Sequence, residues 1–215
     1  MAVVADLQDY EQWHAGYDDP ATGLPWRLSR VQAHLDDALD QRRGPVRLVS
    51  ACSGDGRDVI GVLSRRPHAA RVTAVLIELH PVLAQRARDA AAAADLSGLA
   101  VRTGDAGSSD VYAGVVPADI VVLVGIFGNI SDDDLWRLID ASPQLCGPGA
   151  TLLWSRGRDT EDLNPEVRAR FTAAGFTELA YETFDAAYRV GLGVVRYDGP
   201  AIDLVPGRAL FTFVR

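Results

Sequence analysis

Apolar residues recur along this chain in two alternating modes. Short, largely β-branched runs, Val46-Arg47-Leu48-Val49, Arg71 to Ile77, Ala100 to Thr103, Ile120 to Val124 and Thr151 to Trp154, read as buried strands. Between them, apolar positions return every three or four residues, the spacing of amphipathic helices. Leu28, Val31, Leu35 and Leu39 predict a helix over 26–41. Val59, Ile60, Val62 and Leu63 give the next helix a buried face, and Arg65-Arg66-Pro67 ends it. Pro81 opens an alanine-rich helix running to Ala94, and Ser131 with Asp134 forms a capping-box pattern ahead of Leu135, Leu138 and Ile139. Gly147-Pro148-Gly149 turns the chain into the fifth strand, and Asn164-Pro165-Glu166 starts a helix that stops at Gly175. The tail departs from this alternation. Phe176 to Phe184, Val190 to Tyr197 and Ala209 to Val214 are strand-like with no clear helix between them, which predicts an antiparallel edge. The expected fold class is α/β, a mostly parallel sheet in one domain spanning 1–215.

The first strand ends abruptly in a glycine turn, Cys52-Ser53-Gly54-Asp55-Gly56, followed by a helix. Glycines at alternate positions let backbone approach a ligand where a side chain would block it, and the helix start presents free N–H groups. Glu78 closes the second strand about twenty residues later, where an open α/β sheet places the acid that binds ribose hydroxyls. A pocket for a ligand containing adenosine follows from that spacing.

Composition narrows the partners. The chain of 215 residues carries a formal net charge of -8, which disfavours nucleic acid because such binding draws on phosphate neutralisation and points to a small-molecule partner. It contains no lysine, so Schiff-base chemistry and a phosphate-loop lysine are excluded. Cys52 and Cys146 lack metal-ligand spacing and read as reduced thiols, and no metal is expected. No run resembles a signal peptide or a membrane span, so the expected location is the cytoplasm, with no membrane partner. Oligomeric state is open.

The glycine turn, Glu78, Gly104-Asp105-Ala106 after the third strand, the polar end of the fourth and the strand-rich finish together resemble the class I S-adenosylmethionine-dependent methyltransferases. The likeness covers roughly residues 44–215, and residues 1–43 are expected to form a helical cap over this cofactor-binding core. More narrowly the chain resembles an actinobacterial group of that superfamily, a likeness that supplies no substrate. The resemblance implies a Rossmann-like, mostly parallel seven-stranded sheet with an antiparallel C-terminal edge, and S-adenosyl-L-methionine as cofactor. Ser50, Ala51, Cys52, Gly54 and Gly56 would pass beneath its methionine moiety and ribose. Glu78 would accept from both ribose hydroxyls, Leu79 would pack on adenine, and Asp105 with the Ala106 N–H would read the adenine edge. Gly125 to Asn129 would face the sulfonium and the acceptor. The family usually has an acid where Ser50 stands and a glycine where Cys52 stands.

Methyl transfer is an in-line displacement driven largely by alignment and water exclusion. Where the acceptor needs deprotonation, His14 is the candidate base, beside Tyr17 and Asp18 in the expected cap, and Asn129 is the second candidate catalytic residue. Arg156 and Arg158, read as lying just beyond the fifth strand, are candidates for binding an acidic substrate. Three other classes compete. An NAD-dependent oxidoreductase would want a glycine where Val59 stands. A hydrolase nucleophile at Ser53 lacks flanking glycines and a histidine after His80, and is discarded. A protein that holds S-adenosylmethionine without transferring its methyl group is kept alive by Ser50 and Cys52.

Overall fold

A computed structural model describes residues 16–18, 23–159, 161–185 and 189–214. The Ala2-Val3-Val4 run, Trp13 and His14 lie outside the described residues. Helix α1 (Leu24–Asp40) precedes β1 (Val46–Ala51), α2 (Arg57–Leu63), β2 (Val72–Glu78), α3 (Pro81–Ala93), β3 (Leu99–Thr103), β4 (Ala118–Leu123) and α4 (Asp132–Ala141). Strand β5 (Cys146–Gly157), helix α5 (Asn164–Ala173) and strands β6 (Phe176–Asp185) and β7 (Arg189–Tyr197) complete the order. The seven strands form one sheet in the order β3-β2-β1-β4-β5-β7-β6, with β7 antiparallel to both its neighbours and the rest parallel. The Rossmann-like architecture expected from the sequence is the one observed.

The sheet separates two apolar clusters. On one face Val31, Leu35 and Leu39 of α1, Val59 and Leu63 of α2 and Ala87 and Ala91 of α3 close over Leu48, Leu76, Ile120 and Leu153. On the other, Leu135 and Leu138 of α4 and Val167 and Phe171 of α5 cover Val49, Ile77, Val121 and Trp154. Central strands lose water on both sides, which is why they read as continuous apolar runs. The capping box forms as expected, the Ser131 hydroxyl accepting from the Asp134 N–H at 3.2 Å.

Three sequence expectations change. Ala209 to Val214 adds no strand to the sheet; it makes single antiparallel bridges at Ala209 with Ser108 and at Phe213 with Ile130. There it ties together the loops after β3 and β4, with Leu210 N–H donating to Gly107 O and Val214 N–H to Asn129 O. Gly147-Pro148-Gly149 lies within β5 rather than before it, at a register shift against β4 that absorbs the irregular geometry. Arg156 likewise sits inside β5, and both Arg156 and Arg158 are committed to protein groups. The Arg156 guanidinium donates to Glu161 O at 3.0 Å, and Arg158 pairs with Asp162 and Asp185 at 2.8 Å each. Arg156 Nε is buried without a partner among the described residues.

Candidate cofactor site

Strand β1 delivers Ala51 to the carboxyl edge of the sheet, and the chain then takes three left-handed steps, at Cys52 (φ 51), Gly54 (φ 58) and Gly56 (φ 73). Only at glycine is that region free of Cβ strain. At Gly56 space demands it too, because an added Cβ would sit 2.6 Å from Leu76 Cδ1 and 2.8 Å from Ile60 Cδ1. The turn is held to the neighbouring strand by Ser53 N–H donating to Ile77 O at 3.0 Å.

Glu78 completes the clamp. Its carboxylate is buried, 8% exposed, and takes one backbone N–H on each oxygen, Gly54 at 2.7 Å and His80 at 2.8 Å. A carboxylate has about four lone-pair sites, so the acid that fixes the turn keeps acceptor capacity for a ligand. Next to it Leu79 projects into solvent at 62% exposure, an apolar side chain with no core to enter. Ser53 Oγ and His80 Nδ1 are buried in the same stretch without a hydrogen-bond partner among the described residues. Buried polar atoms are rarely left so.

The loop after β3 supplies the third wall. Asp105 Oδ1 accepts from Gly107 N–H at 2.8 Å, and the Tyr112 hydroxyl donates to Ala106 O at 2.8 Å. Gly107 is obligatory, since a Cβ there would strike the Phe211 carbonyl of the C-terminal segment. After β4, Gly125 (φ 83) donates its N–H to Ser155 Oγ at 3.0 Å, while Asn129 Nδ2 donates back to Gly125 O at 2.8 Å. Ile126 and Phe127 are fully buried, so of the segment expected to face an acceptor only Gly125, Gly128 and Asn129 keep access. The side-chain amide of Asn129 is occupied in shaping that turn.

One contributor was not anticipated from sequence. Arg27 is 4% exposed in the first turns of α1, its guanidinium 3.8 to 3.9 Å from where a Cβ on Gly125 would stand. It donates to the Tyr17 hydroxyl at 2.7 Å, and the Arg57 guanidinium lies over the Tyr17 ring at 4.2 Å while pairing with Asp55. Tyr17, Arg27 and Arg57 thus join the N-terminal segment to the glycine turn. The available signal was helical spacing: Arg27 stands four residues before Val31 and eight before Leu35, on the buried stripe itself.

Burial, then the Glu78 and Asp105 carboxylates, push the Cys52 thiol well above its ordinary range, and burial does the same to Cys146. Both groups stay protonated in the folded chain where the unfolded chain's thiols ionise, from about pH 9 upward. Raised acid pKa values make stability fall as pH rises past the unfolded value. The folded state is expected to lose up to about 1.4 kcal/mol per thiol per pH unit there. Urea midpoints measured at neutral and strongly alkaline pH would show it, and the loss should shrink in Cys52→Gly/Cys146→Ala. An undiminished loss in that variant would assign the lability to other groups.

No protein-family model and no curated protein sequence matches the chain. Solved structures do. An O-methyltransferase family protein from Burkholderia thailandensis superposes with a TM-score of 0.65 at 19% identity, over 89% of this chain and 61% of its own length. Magnesium protoporphyrin IX methyltransferase from Synechocystis PCC 6803, with bound S-adenosylmethionine, superposes with a TM-score of 0.69 at 13% identity, over 89% of this chain and 92% of its own.

The chain has the class I methyltransferase fold.

Within that fold, Cys52 takes a left-handed backbone (φ 51), the region that glycine adopts without strain. The [4+2]-cyclase SpnF also superposes, with a TM-score of 0.58 at 17% identity, over 79% of this chain and 81% of its own. A class I fold therefore occurs in a protein named for a different reaction.

Proposed function

We propose that this protein is an S-adenosylmethionine-dependent methyltransferase acting on a small-molecule acceptor. The observation that carries the proposal is the clamp at the carboxyl edge: a buried Glu78 bound to Gly54 and His80, with exposed Leu79 beside it. The residues present fit the cofactor, because buried Ser53 Oγ and His80 Nδ1 lack partners among the described residues and Gly54 brings backbone without a side chain up to the Glu78 carboxylate.

In this reading Glu78 accepts from the ribose hydroxyls and Leu79 covers one adenine face. Asp105 and the Ala106 N–H address the adenine edge. Ser50, Ala51, Cys52 and Gly54 floor the methionine end, and buried Arg27 offers its carboxylate a charge-assisted partner at Gly125. The chemistry supplied by such a cofactor is a methyl group on a sulfonium, so the protein's part is alignment and exclusion of water. Asn129 orients the Gly125 turn through its amide. His14 is the base where an acceptor must lose a proton. No helix among the described residues is long and apolar enough to cross a membrane, and with the charge of -8 the proposed setting is the cytoplasm.

Calorimetric titration with S-adenosylmethionine, S-adenosylhomocysteine and NAD in parallel tests the proposal, followed by turnover against a panel of hydroxyl, amine and carboxylate acceptors. Binding of both sulfur nucleosides with turnover is expected. Binding without turnover would favour a protein that holds the cofactor without transferring its methyl group, a reading supported by Ser50 and Cys52. Binding of NAD alone would sink both.

A further inference from the structure

At the opposite end of the sheet lies a cavity of about 610 Å³ lined by Asp36, Asp40, Arg42, Arg43, Arg65, Arg66 and Arg71, together with Gly44, Pro67 and His68. It opens where α1 and α2 end and β1 and β2 begin. Strand β1, six residues long, separates it from the glycine turn by about 20 Å.

Its charge does not balance. Arg65 and Arg66 share Asp36 at 2.5 and 2.6 Å, and Arg66 also reaches Asp40. The other arginines meet no carboxylate in the cavity wall. Arg42 donates to the carbonyls of Ala38, Asp119 and Gly149, and Arg71 to those of Leu39, Arg42 and Gly44. Arg43 is exposed and donates to none of the described residues. Five arginines and two carboxylates thus line the cavity. The C-termini of α1 and α2 contribute about half a negative charge each, and the Asp119 carboxylate acts on Arg42 from outside the wall, which leaves roughly one positive charge uncompensated. This occurs in a chain whose overall charge is -8. Burial lowers the pKa of the Arg42 guanidinium, and the Asp119 carboxylate offsets only part of that effect.

Planar guanidinium forks match phosphate oxygens in pairs, and a cavity of this volume suits a small ligand. We propose that this arginine-lined cavity binds the phosphate or pyrophosphate group of a small anion, at a site separate from the glycine turn. The assignment does not depend on which reaction the other end of the sheet supports.

The test is calorimetric titration with inorganic phosphate and inorganic pyrophosphate at low and high ionic strength, on the wild-type chain and three variants. Pyrophosphate should bind saturably, more tightly than phosphate, and less tightly as salt rises. Arg43→Ala should weaken it about tenfold, the loss of one charge-assisted contact, and Arg43→Glu should weaken it further. Neither should alter the thermal midpoint, because Arg43 supports no other described group. Asp40→Asn should strengthen binding several-fold, by about the effect of one fewer repelling charge, a gain that damage to the fold would not produce. Absence of saturable pyrophosphate binding, or equal affinity in wild type and Arg43→Glu, would overturn the proposal.

Discussion

Replacing Glu78 by alanine is expected to abolish binding of S-adenosylmethionine and to destabilise the fold together. The two effects have one origin. Each carboxylate oxygen holds a backbone N–H, from Gly54 at 2.7 Å and from His80 at 2.8 Å, in a place that is 8% exposed. Hydrogen bonds to charged groups contribute about 1.5–3 kcal/mol each, and N–H groups left unpaired in a buried site cost about as much. Partial access of water moderates the sum, so about 3 kcal/mol of stability should be lost. The turn carrying Gly54 would no longer be fixed to β2, and the proposed ribose contacts would vanish with the carboxylate. Affinity should fall by at least about a hundredfold. Glu78→Gln separates the roles, since its amide oxygen still accepts one N–H while the charge is gone. It should recover part of the stability and little of the affinity. Titration and urea unfolding of the two variants provide the check. Wild-type affinity in Glu78→Ala would refute the ribose assignment.

The second large effect is expected at a glycine far from any ligand. Gly193 of β7 lies directly opposite Trp154 of β5, and opposite Tyr181 on its other side. The indole is fully buried and folds across Gly193, so that a Cβ there would overlap the ring atoms Cε2, Cζ2 and Nε1. Trp154 cannot easily retreat. It is stacked with Phe127 at 5.8 Å, Phe171 at 5.9 Å and Tyr181 at 6.0 Å. Overpacking a core of this density costs about 1–3 kcal/mol, and rigid aromatic neighbours place this case near the upper end. Gly193→Ala should therefore lower the melting temperature by roughly 6–12 °C. Because Phe127 belongs to the turn after β4, the displacement should also reach Gly125 and weaken the proposed cofactor binding. In a Trp154→Leu background Gly193→Ala should cost less than it does in the wild type, because the ring that clashes is gone. A melting temperature unchanged by Gly193→Ala would show that the sheet yields there at little cost.

Much of this architecture was legible because its signals are local. The central strands are apolar on both faces, so Ile120 to Leu123 announces itself without knowledge of its neighbours. The glycine turn and the position of Glu78 follow from spacing, and the structure brings the two into direct contact. Asp105, Ala106 and Gly125 also fall at the ends of strands on the same sheet edge, where strand order in the chain placed them. The tail was legible only in part. Ala209 to Val214 has strand-like residues, but whether it joins a sheet depends on an available edge, and here it crosses the loops after β3 and β4.

Arginine shows the limit more sharply. Arg27, Arg156, Arg158 and the arginines around Arg43 are one residue type in sequence, and among them only Arg27 carries a local sign of burial, its place on the helical stripe of Val31 and Leu35. In the fold Arg27 stands beside Gly125, Arg156 lies within β5, Arg158 pairs with Asp162 and Asp185, and Arg42, Arg43, Arg65, Arg66 and Arg71 converge around one cavity. The sequence by itself determined the order of elements, the buried face of each and the turn that marks the site, because hydrophobic periodicity and glycine conformation act over a few residues. The tertiary structure alone decided which charges far apart in the chain meet. Ion pairing and desolvation depend on distances between segments far apart in the chain, such as Arg30 with Glu182 or Asp36 with Arg66, and those distances exist only once the sheet has formed.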